Sequence, residues 1–305
     1  MKIAAGIVIY NPDNLNRFYE CLDRILEQVE TVYLFDNGSM DIKKQFSQSV
    51  VYITEHKNLG IAYALNRIME AAQRDGFDWV ITMDQDSVIP KGLVHRYGEA
   101  ISQNHDLGVV CPQVIDSRRS YMEIKKDPQE EFVDFCITSA SCTSIAAWAD
   151  IGKFDEWLFI DLVDNEFCKR LTLSGYKILR INDLILNQEF GKIIPKGERI
   201  QKFWIKISKL LNNQNFAKFS YKKFVSPTRV YYTCRNVLYA NKKLAAYGPV
   251  AYKENYNCNS YLGFVISFIL PSILRAEDKV KVIKAAISGT IDGKKEKVKA
   301  WTVNS

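Results

Sequence analysis

With 305 residues and 47% hydrophobic side chains, the chain is long enough for one substantial core plus a smaller appendage, which excludes a disordered chain. Seven cysteines, an odd number without metal-ligand spacing, read as thiols of a cytoplasmic protein rather than a disulfide framework. The net charge of +6 is uneven: Lys-rich stretches crowd the region after about Lys192, which suits phosphate-bearing partners or a solvated basic face equally.

Ile3–Ile9 reads as a first buried strand rather than part of a leader, because the apolar run is short and breaks at Asn11-Pro12 without a small-residue cleavage site. Apolar and amphipathic stretches then alternate: a helix over Leu15–Val29, strands over Thr31–Phe35 and Val51–Ile53, a helix over Ile61–Arg74, a strand over Trp79–Met83. This rhythm predicts parallel strands with crossover helices, and such sheets gather ligands at the carboxyl ends of their strands. Polar residues follow each strand in turn: Tyr10-Asn11-Pro12, Asp36-Asn37-Gly38-Ser39, His56 to Gly60, and Asp84-Gln85-Asp86-Ser87. Val109–Val114 and Phe132–Ile137 are further predicted strands, and Asp161–Ser174 is a loop entering a helix that Gly175 closes. Past Lys192 the alternation stops. Ile200–Ala240 reads as helical, aromatic and basic, and Tyr261–Leu274 as an apolar run interrupted by Gly263 and Pro271.

Asp84-Gln85-Asp86 is the strongest constellation. Alternate carboxylates of an extended strand point to opposite faces, so they share a site only where the chain turns, as it can at a strand end. Mg or Mn binds hard oxygens and bridges phosphates, so one carboxylate can hold the ion while its neighbour meets the sugar or ribose. A solvated acidic turn is the competing reading. Asp36 can accept the ring N–H of a pyrimidine, with Asn37, Gly38 and Ser39 shaping the turn around it. In Asn58 to Asn66, a Gly turn opens a helix on which Ala62 and Asn66 share one face, suited to close approach by a nucleotide or to tight packing on the sheet.

In order and spacing these segments resemble the family 2 glycosyltransferases, more narrowly the bacterial rhamnosyltransferases, over roughly the first two thirds of the chain. The resemblance implies an α/β, GT-A fold, Rossmann-like, with a mostly parallel central sheet flanked by helices. That catalytic domain would cover 1–195, its nucleotide-sugar half at about 1–110 and its acceptor half at about 111–195, with a helical C-terminal region over 196–305. It implies an inverting, metal-dependent transfer (Mg or Mn) from a nucleotide-sugar, dTDP-L-rhamnose leading and a UDP-hexose as alternative. Donor contacts would come from Tyr10, Asn11, Asp36, Asn37, Ser39, Asn58, Gly60, Ala62, Asn66, Asp84 and Gln85, with Asp36 at the base and Asp86 on the metal.

In Phe159 to Arg170, Asp164 matches the family's general base. The acceptor hydroxyl attacks opposite the departing nucleoside diphosphate while one carboxylate takes its proton. Asp161 and Glu166 are rivals for that role; the resemblance otherwise puts Asp161, Glu166 and Arg170 on the acceptor, and Glu166 can instead pair with Arg170 one turn on. A helix N-terminal carboxylate favoured by the dipole is the plain alternative for Asp164. Thr138 and Ser139 open a segment resembling the family's acceptor lining, with Ala140 where Gly is expected, a change that narrows the pocket or is silent. Tyr231-Tyr232-Thr233-Cys234-Arg235-Asn236 resembles the family's Tyr-Tyr-x-x-Arg-Asn stretch, with Arg235 on a phosphate or merely on an aromatic core. Gln188 stands where many relatives carry His, leaving Asp86, Glu189 or waters to complete the ion's shell. His56, His95 and His105 read as surface or packing residues.

Tyr261–Leu274 falls short of the roughly 20 residues that span a bilayer, and reads as an interfacial, a buried or a dimer-forming helix. The expected setting is the cytoplasm, peripheral at the inner face of a bacterial plasma membrane, building cell wall or surface polysaccharide. Expected partners are a glycan or lipid-linked oligosaccharide acceptor, the membrane surface and a second copy through the C-terminal region. No nucleic acid is expected, although the basic tail is what such a binder would carry. A non-catalytic nucleotide-binding scaffold is the other competing class, and intact Asp84, Asp86 and Asp164 argue against it.

Overall fold

Strand β1 (Ile3–Ile9) buries every residue after Ile3, as a central parallel strand covered on both faces must. It pairs in parallel with β2 (Val32–Asp36) and with β4 (Trp79–Asp84), and β2 pairs in parallel with the edge strand β3 (Val50–Thr54). With β5 (Leu107–Ile115), β6 (Glu130–Val133), β7 (Ser141–Ser144) and β8 (Lys177–Asn187) they form an eight-stranded sheet in the order β3-β2-β1-β4-β7-β5-β8-β6. β7 lies antiparallel between β4 and β5, and β6 antiparallel to β8. The computed structural model describes residues 1–39, 46–211 and 216–303.

Helices cover this sheet by ordinary amphipathic logic. In α1 (Leu15–Leu26) the Asn14 side chain accepts the Arg17 N–H at 3.1 Å, and Phe18, Cys21, Leu22 and Ile25 are buried at helical spacing. α2 (Ile61–Arg74), α3 (Leu93–Gln103), α4 (Ile145–Asp150) and α5 (Val163–Leu173) complete the set. β7 is not predicted from sequence because Ser141-Cys142-Thr143-Ser144 lacks apolar alternation, yet all four residues are buried. The strand expected over Phe132–Ile137 lies earlier, at β6.

The chain divides into two compact units, one of Met1–Gln113 and Lys125–Leu186 with the chain end from Thr302, the other of Val114–Ile124 and Asn187–Trp301. Along the chain the units change at 186/187, and 114–124 goes with the second unit. Two local causes act there. β9 (Ile193–Pro195) pairs with β10 (Tyr221–Lys223) in a separate ribbon. Asp116, its side chain fully buried, accepts from the Arg118 and Arg119 guanidinium groups and from the Phe190 N–H. Burial alone would raise its carboxyl, but the Arg118 hydrogen bonds and the Phe190 and Arg118 backbone N–H groups outweigh that and hold it at about 2.

The second unit also contains α6 (Glu198–Leu210), α7 (Pro227–Lys243), α8 (Val250–Tyr256), α9 (Tyr261–Phe264), a π-helical turn Val265–Ile269, α10 (Leu270–Arg275) and α11 (Lys279–Lys295). The helical stretch expected over Ile200–Ala240 is thus interrupted by β10, and its residues 212–215 lie outside the described residues. By length and composition the stretch Val250–Arg275 is apolar enough to cross a membrane, its most apolar 18 residues having mean hydropathy 1.4 with 17% of them buried. Asn257, at φ 50°, breaks it. The unbroken part from Tyr261 to Arg275 is roughly 22 Å long, under the ~30 Å of a hydrocarbon core. A fully buried helix is also excluded, since Leu262, Ile266, Leu270 and Leu274 are exposed.

Candidate active site

The strand register sets two carboxylates on either side of β1: Ile9 lies opposite Asp36 and Val8 opposite Asp84. Side chains tie these strand ends together. The Tyr10 N–H donates to Gln85 Oε1 at 2.8 Å and the Asn11 N–H to Ser39 Oγ at 3.0 Å. Buried Asp36 accepts the Ser39 N–H on Oδ1 at 2.7 Å and the Tyr52 hydroxyl on Oδ2 at 2.6 Å. Burial, then the Asp36 hydrogen bond and charge, push the Tyr52 phenol up to about 12. The Ser39 and Tyr52 bonds are those the Asp36 carboxylate accepts among the described residues, and a carboxylate oxygen can take a second donor such as a ring N–H. Tyr52 was not singled out from sequence, and the only signal for it is its place two residues before the β3 end.

The next two turns interlock. Asn37 Oδ1 accepts the Leu59 N–H at 2.8 Å, and Asn58 Oδ1 accepts the Gly60 N–H at 3.0 Å. Gly38 (φ 89°) and Gly60 (φ 92°) are both left-handed, and a Cβ would stand 2.8 Å from the Lys57 carbonyl carbon in one case and 2.7 Å from the Phe159 oxygen in the other. The Ile61 N–H in turn donates to Phe159 O at 2.8 Å.

Two of the expected donor residues lie inside the protein. Ala62 is fully buried, and Asn66 spends its whole carboxamide inside the protein: Nδ2 donates to Phe154 O and Glu156 Oε1, while Oδ1 accepts from Trp148 Nε1 and the Phe154 N–H. That face of α2 is packing, with no polar capacity left for a nucleotide.

At the end of β4, Asp84 is half-buried and Asp86 exposed. The Asp84 N–H donates to Ser139 Oγ at 3.3 Å, Ser139 donates to Ser87 at 2.6 Å, and Arg17 Nε donates to the Asp86 carbonyl at 3.0 Å. Both carboxylates act on one spot: burial, then the charges of Asp84 and of Asp86, push the Cys21 thiol up to about 12. Among the described residues no three His, Cys, Asp or Glu side chains form a ready-made cage. The donor set still fits Mg or Mn, which is commonly held by one or two carboxylates plus substrate phosphates.

Thr138 and Asp164 line one cavity of about 10 Å³ with Cys136 and Cys168, room for a single water. Asp164 sits in the first turn of α5, its Oδ1 accepting the Asn165 N–H at 3.0 Å. Just ahead, Asp161 (φ 67°) and Leu162 (φ 63°) are consecutive left-handed residues. Such backbone costs about 1–3 kcal/mol per residue and is concentrated at functional sites. Among the described residues, five of the seven non-glycine residues with positive φ (Asn11, His56, Ala140, Asp161, Leu162) lie in these loops, so the strain is grouped here.

Ala140 is one of them, at φ 59° and fully buried, with its carbonyl accepting the Tyr97 hydroxyl. It does not narrow a pocket; the position asks for Gly because of its backbone. Ala140→Gly is therefore expected to stabilise by up to about 1 kcal/mol, read as a small rise in denaturation midpoint. A loss of stability would refute the strain assignment.

Glu166 and Arg170, expected at the acceptor, meet each other inside the protein. Their side chains are 0% and 1% exposed and form a two-pronged pair, Nε to Oε1 at 2.6 Å and Nη2 to Oε2 at 2.7 Å. Arg170 also donates to the Ile151 and Lys153 carbonyls. In the second unit, Gln188 is buried with its N–H on Ile115 O, and Arg235 on α7 lies over the Tyr232 ring at 4.8 Å with Nε on Asn236 Oδ1.

Comparison with known proteins bears on the fold and on the first half of the chain. Residues 5–146 match the model of glycosyl transferase family 2. Over 314 aligned residues, 96% of this chain and 95% of the other, the sequence is 26% identical to the dTDP-rhamnosyl transferase RfbF of Shigella flexneri. The mannosyltransferase PcManGT of Pyrobaculum calidifontis, solved with GDP-Man and Mn2+, superposes with TM-score 0.50 at 14% identity, over 97% of this chain and 88% of that one. GalNAc-T7, solved with UDP, GalNAc and Mn2+, superposes with TM-score 0.52 at 10% identity over 88% of this chain, which spans 57% of that longer one. Residues 5–146 are a glycosyl transferase family 2 domain, and the chain has the GT-A fold.

Proposed function

We propose that this protein is an inverting glycosyltransferase that moves L-rhamnose from dTDP-β-L-rhamnose to a hydroxyl of a lipid-linked oligosaccharide or growing cell-surface polysaccharide. The observation that carries the reading is the grouping of Asp36, Asp84 and Asp86 at neighbouring strand ends, tied through Ser139 to the segment whose Thr138 shares a cavity with Asp164. The rhamnosyl donor is supported by the likeness to RfbF along nearly the whole chain.

In this reading Asp36 accepts the thymine ring N–H, with Tyr52 and the Ser39 N–H holding its carboxylate in place. Asn11, Ser39 and the 57–60 turn frame the nucleoside, and Asp84 meets the ribose or sugar. Gln85 is a positioning residue, because its oxygen is used on the Tyr10 N–H. Asp86 would hold a divalent cation, whose chemistry is to offset charge on the departing diphosphate. Asp164 takes the proton of the acceptor hydroxyl, and no covalent enzyme intermediate forms.

Thermal-shift measurement tests the donor side. dTDP with Mn is expected to raise the melting temperature by a few degrees, since ligand at a hundred times its Kd stabilises by about 2.7 kcal/mol. UDP and GDP should raise it less, and Asp36→Ala should remove the shift. A larger shift with GDP, or none with any nucleotide, would overturn the donor assignment.

A further inference from the structure

α11 is apolar on two sides. One side is sealed against α7: a Cβ added at Gly289 or Gly293 would stand 2.2 Å from the Tyr231 carbonyl oxygen or 2.5 Å from that of Arg235. The other side leaves Val280, Ile283, Ile287 and Ile291 between 40% and 61% exposed, at helical spacing. Next to it, α9, the π-helical turn and α10 carry Leu262, Ile266, Leu270 and Leu274, four apart and 47–75% exposed. The two helices enclose an apolar groove of about 260 Å³, with Val265, Ile269 and Ile273 facing Ile283, Ile287 and Ile291. Eight large aliphatic side chains flanking one groove exceed the scattered hydrophobics of a soluble surface.

The charges around it are one-sided. Residues 261–299 carry eight Lys or Arg against four acidic residues, a net of +4. Two of those acids are engaged locally, Asp278 capping α11 and pairing with Lys281, and Asp292 accepting the Tyr231 hydroxyl. Lys284 and Lys294 stand beside the exposed stripe of α11, and the Lys294 ammonium lies 5.1 Å from the Tyr261 ring.

We infer that this two-helix face docks the protein on an anionic membrane, with its aliphatic stripes at the acyl boundary and its lysines on headgroup phosphates. The face is too short to span and too apolar for water, and its cations select a negative partner. A second copy is the weaker occupant, because a two-fold contact would set the same positive face against itself. The inference gives the proposed lipid-linked acceptor its meeting place, but it is measured without donor, so its failure would leave the transferase reading standing.

Full-length protein should co-sediment with vesicles of phosphatidylcholine containing about 30 mol % phosphatidylglycerol, and far less with phosphatidylcholine alone. Ile266→Ser with Leu270→Ser should cut that partitioning about tenfold or more, with melting temperature unchanged because both side chains are already exposed. Lys284→Gln with Lys294→Gln should cut it about tenfold on anionic vesicles only. Three results would each overturn the inference: equal retention on both vesicles, serine variants that bind as the parent does, or a concentration-dependent dimer that the serine variants break in a protein that ignores vesicles.

Discussion

Asp164→Asn is expected to lower kcat for sugar transfer by about 100- to 10,000-fold while leaving the Kd for dTDP unchanged. Asn keeps the shape and the hydrogen bond to the Asn165 N–H but cannot take a proton. The folding cost should be small, because a first-turn carboxylate contributes only about 0.3–1 kcal/mol through the helix dipole. A fold change in rate with no matching change in stability therefore separates a base from a helix-end charge. Asp161→Asn is the control. Asp161 lies in the left-handed pair that aims α5, so its variant should shift the acceptor KM more than kcat. If Asp161→Asn takes the large kcat loss and Asp164→Asn does not, the base is Asp161.

What could be read from sequence was whatever depends on neighbours along the chain. α2 is found to the residue, Ile61–Arg74, because its apolar period and the Gly turn before it are local. So is the succession of strand ends bearing Asp36 and Asp84. The packing of Asn66 is not legible for the complementary reason: its partners Trp148 and Phe154 lie 82 and 88 positions away, and nothing local announces them. β7 was hidden because a buried strand between two others can be small and polar when its hydroxyls are bonded: the Ser141 hydroxyl donates to the Ile137 carbonyl and the Ser144 hydroxyl accepts the Ala147 N–H. Ala140 looked like a change of pocket size, and only its φ shows that the backbone was the constraint. In α11 the sealed and exposed apolar residues are interleaved in one dimension, so the period looks weak until α7 accounts for one side of it. The Glu166–Arg170 spacing was legible as a helix pair; its burial was not, since that depends on the Ile151 and Lys153 carbonyls.

Arg170→Ala should destabilise the protein by about 3–5 kcal/mol, lowering the melting temperature by roughly 10 °C. The loss is larger than the pair's own net contribution, because Glu166 is left charged and buried with its side chain 0% exposed. Two carbonyls, of Ile151 and Lys153, lose their donor at the same time. The Arg170→Met, Glu166→Leu double variant removes both charges and should regain most of the loss, with apolar volume in place of the pair beside the stacked rings of Phe154 and Phe167. Kinetics of that double variant then discriminate. If the pair only holds α5 against the 151–154 turn, the refolded enzyme keeps the parent acceptor KM, whereas a residue touching acceptor would raise KM however well the core is rebuilt. A stable double variant with a strongly raised acceptor KM would restore the acceptor role, and would require that loop to open far enough to expose a guanidinium now 1% accessible.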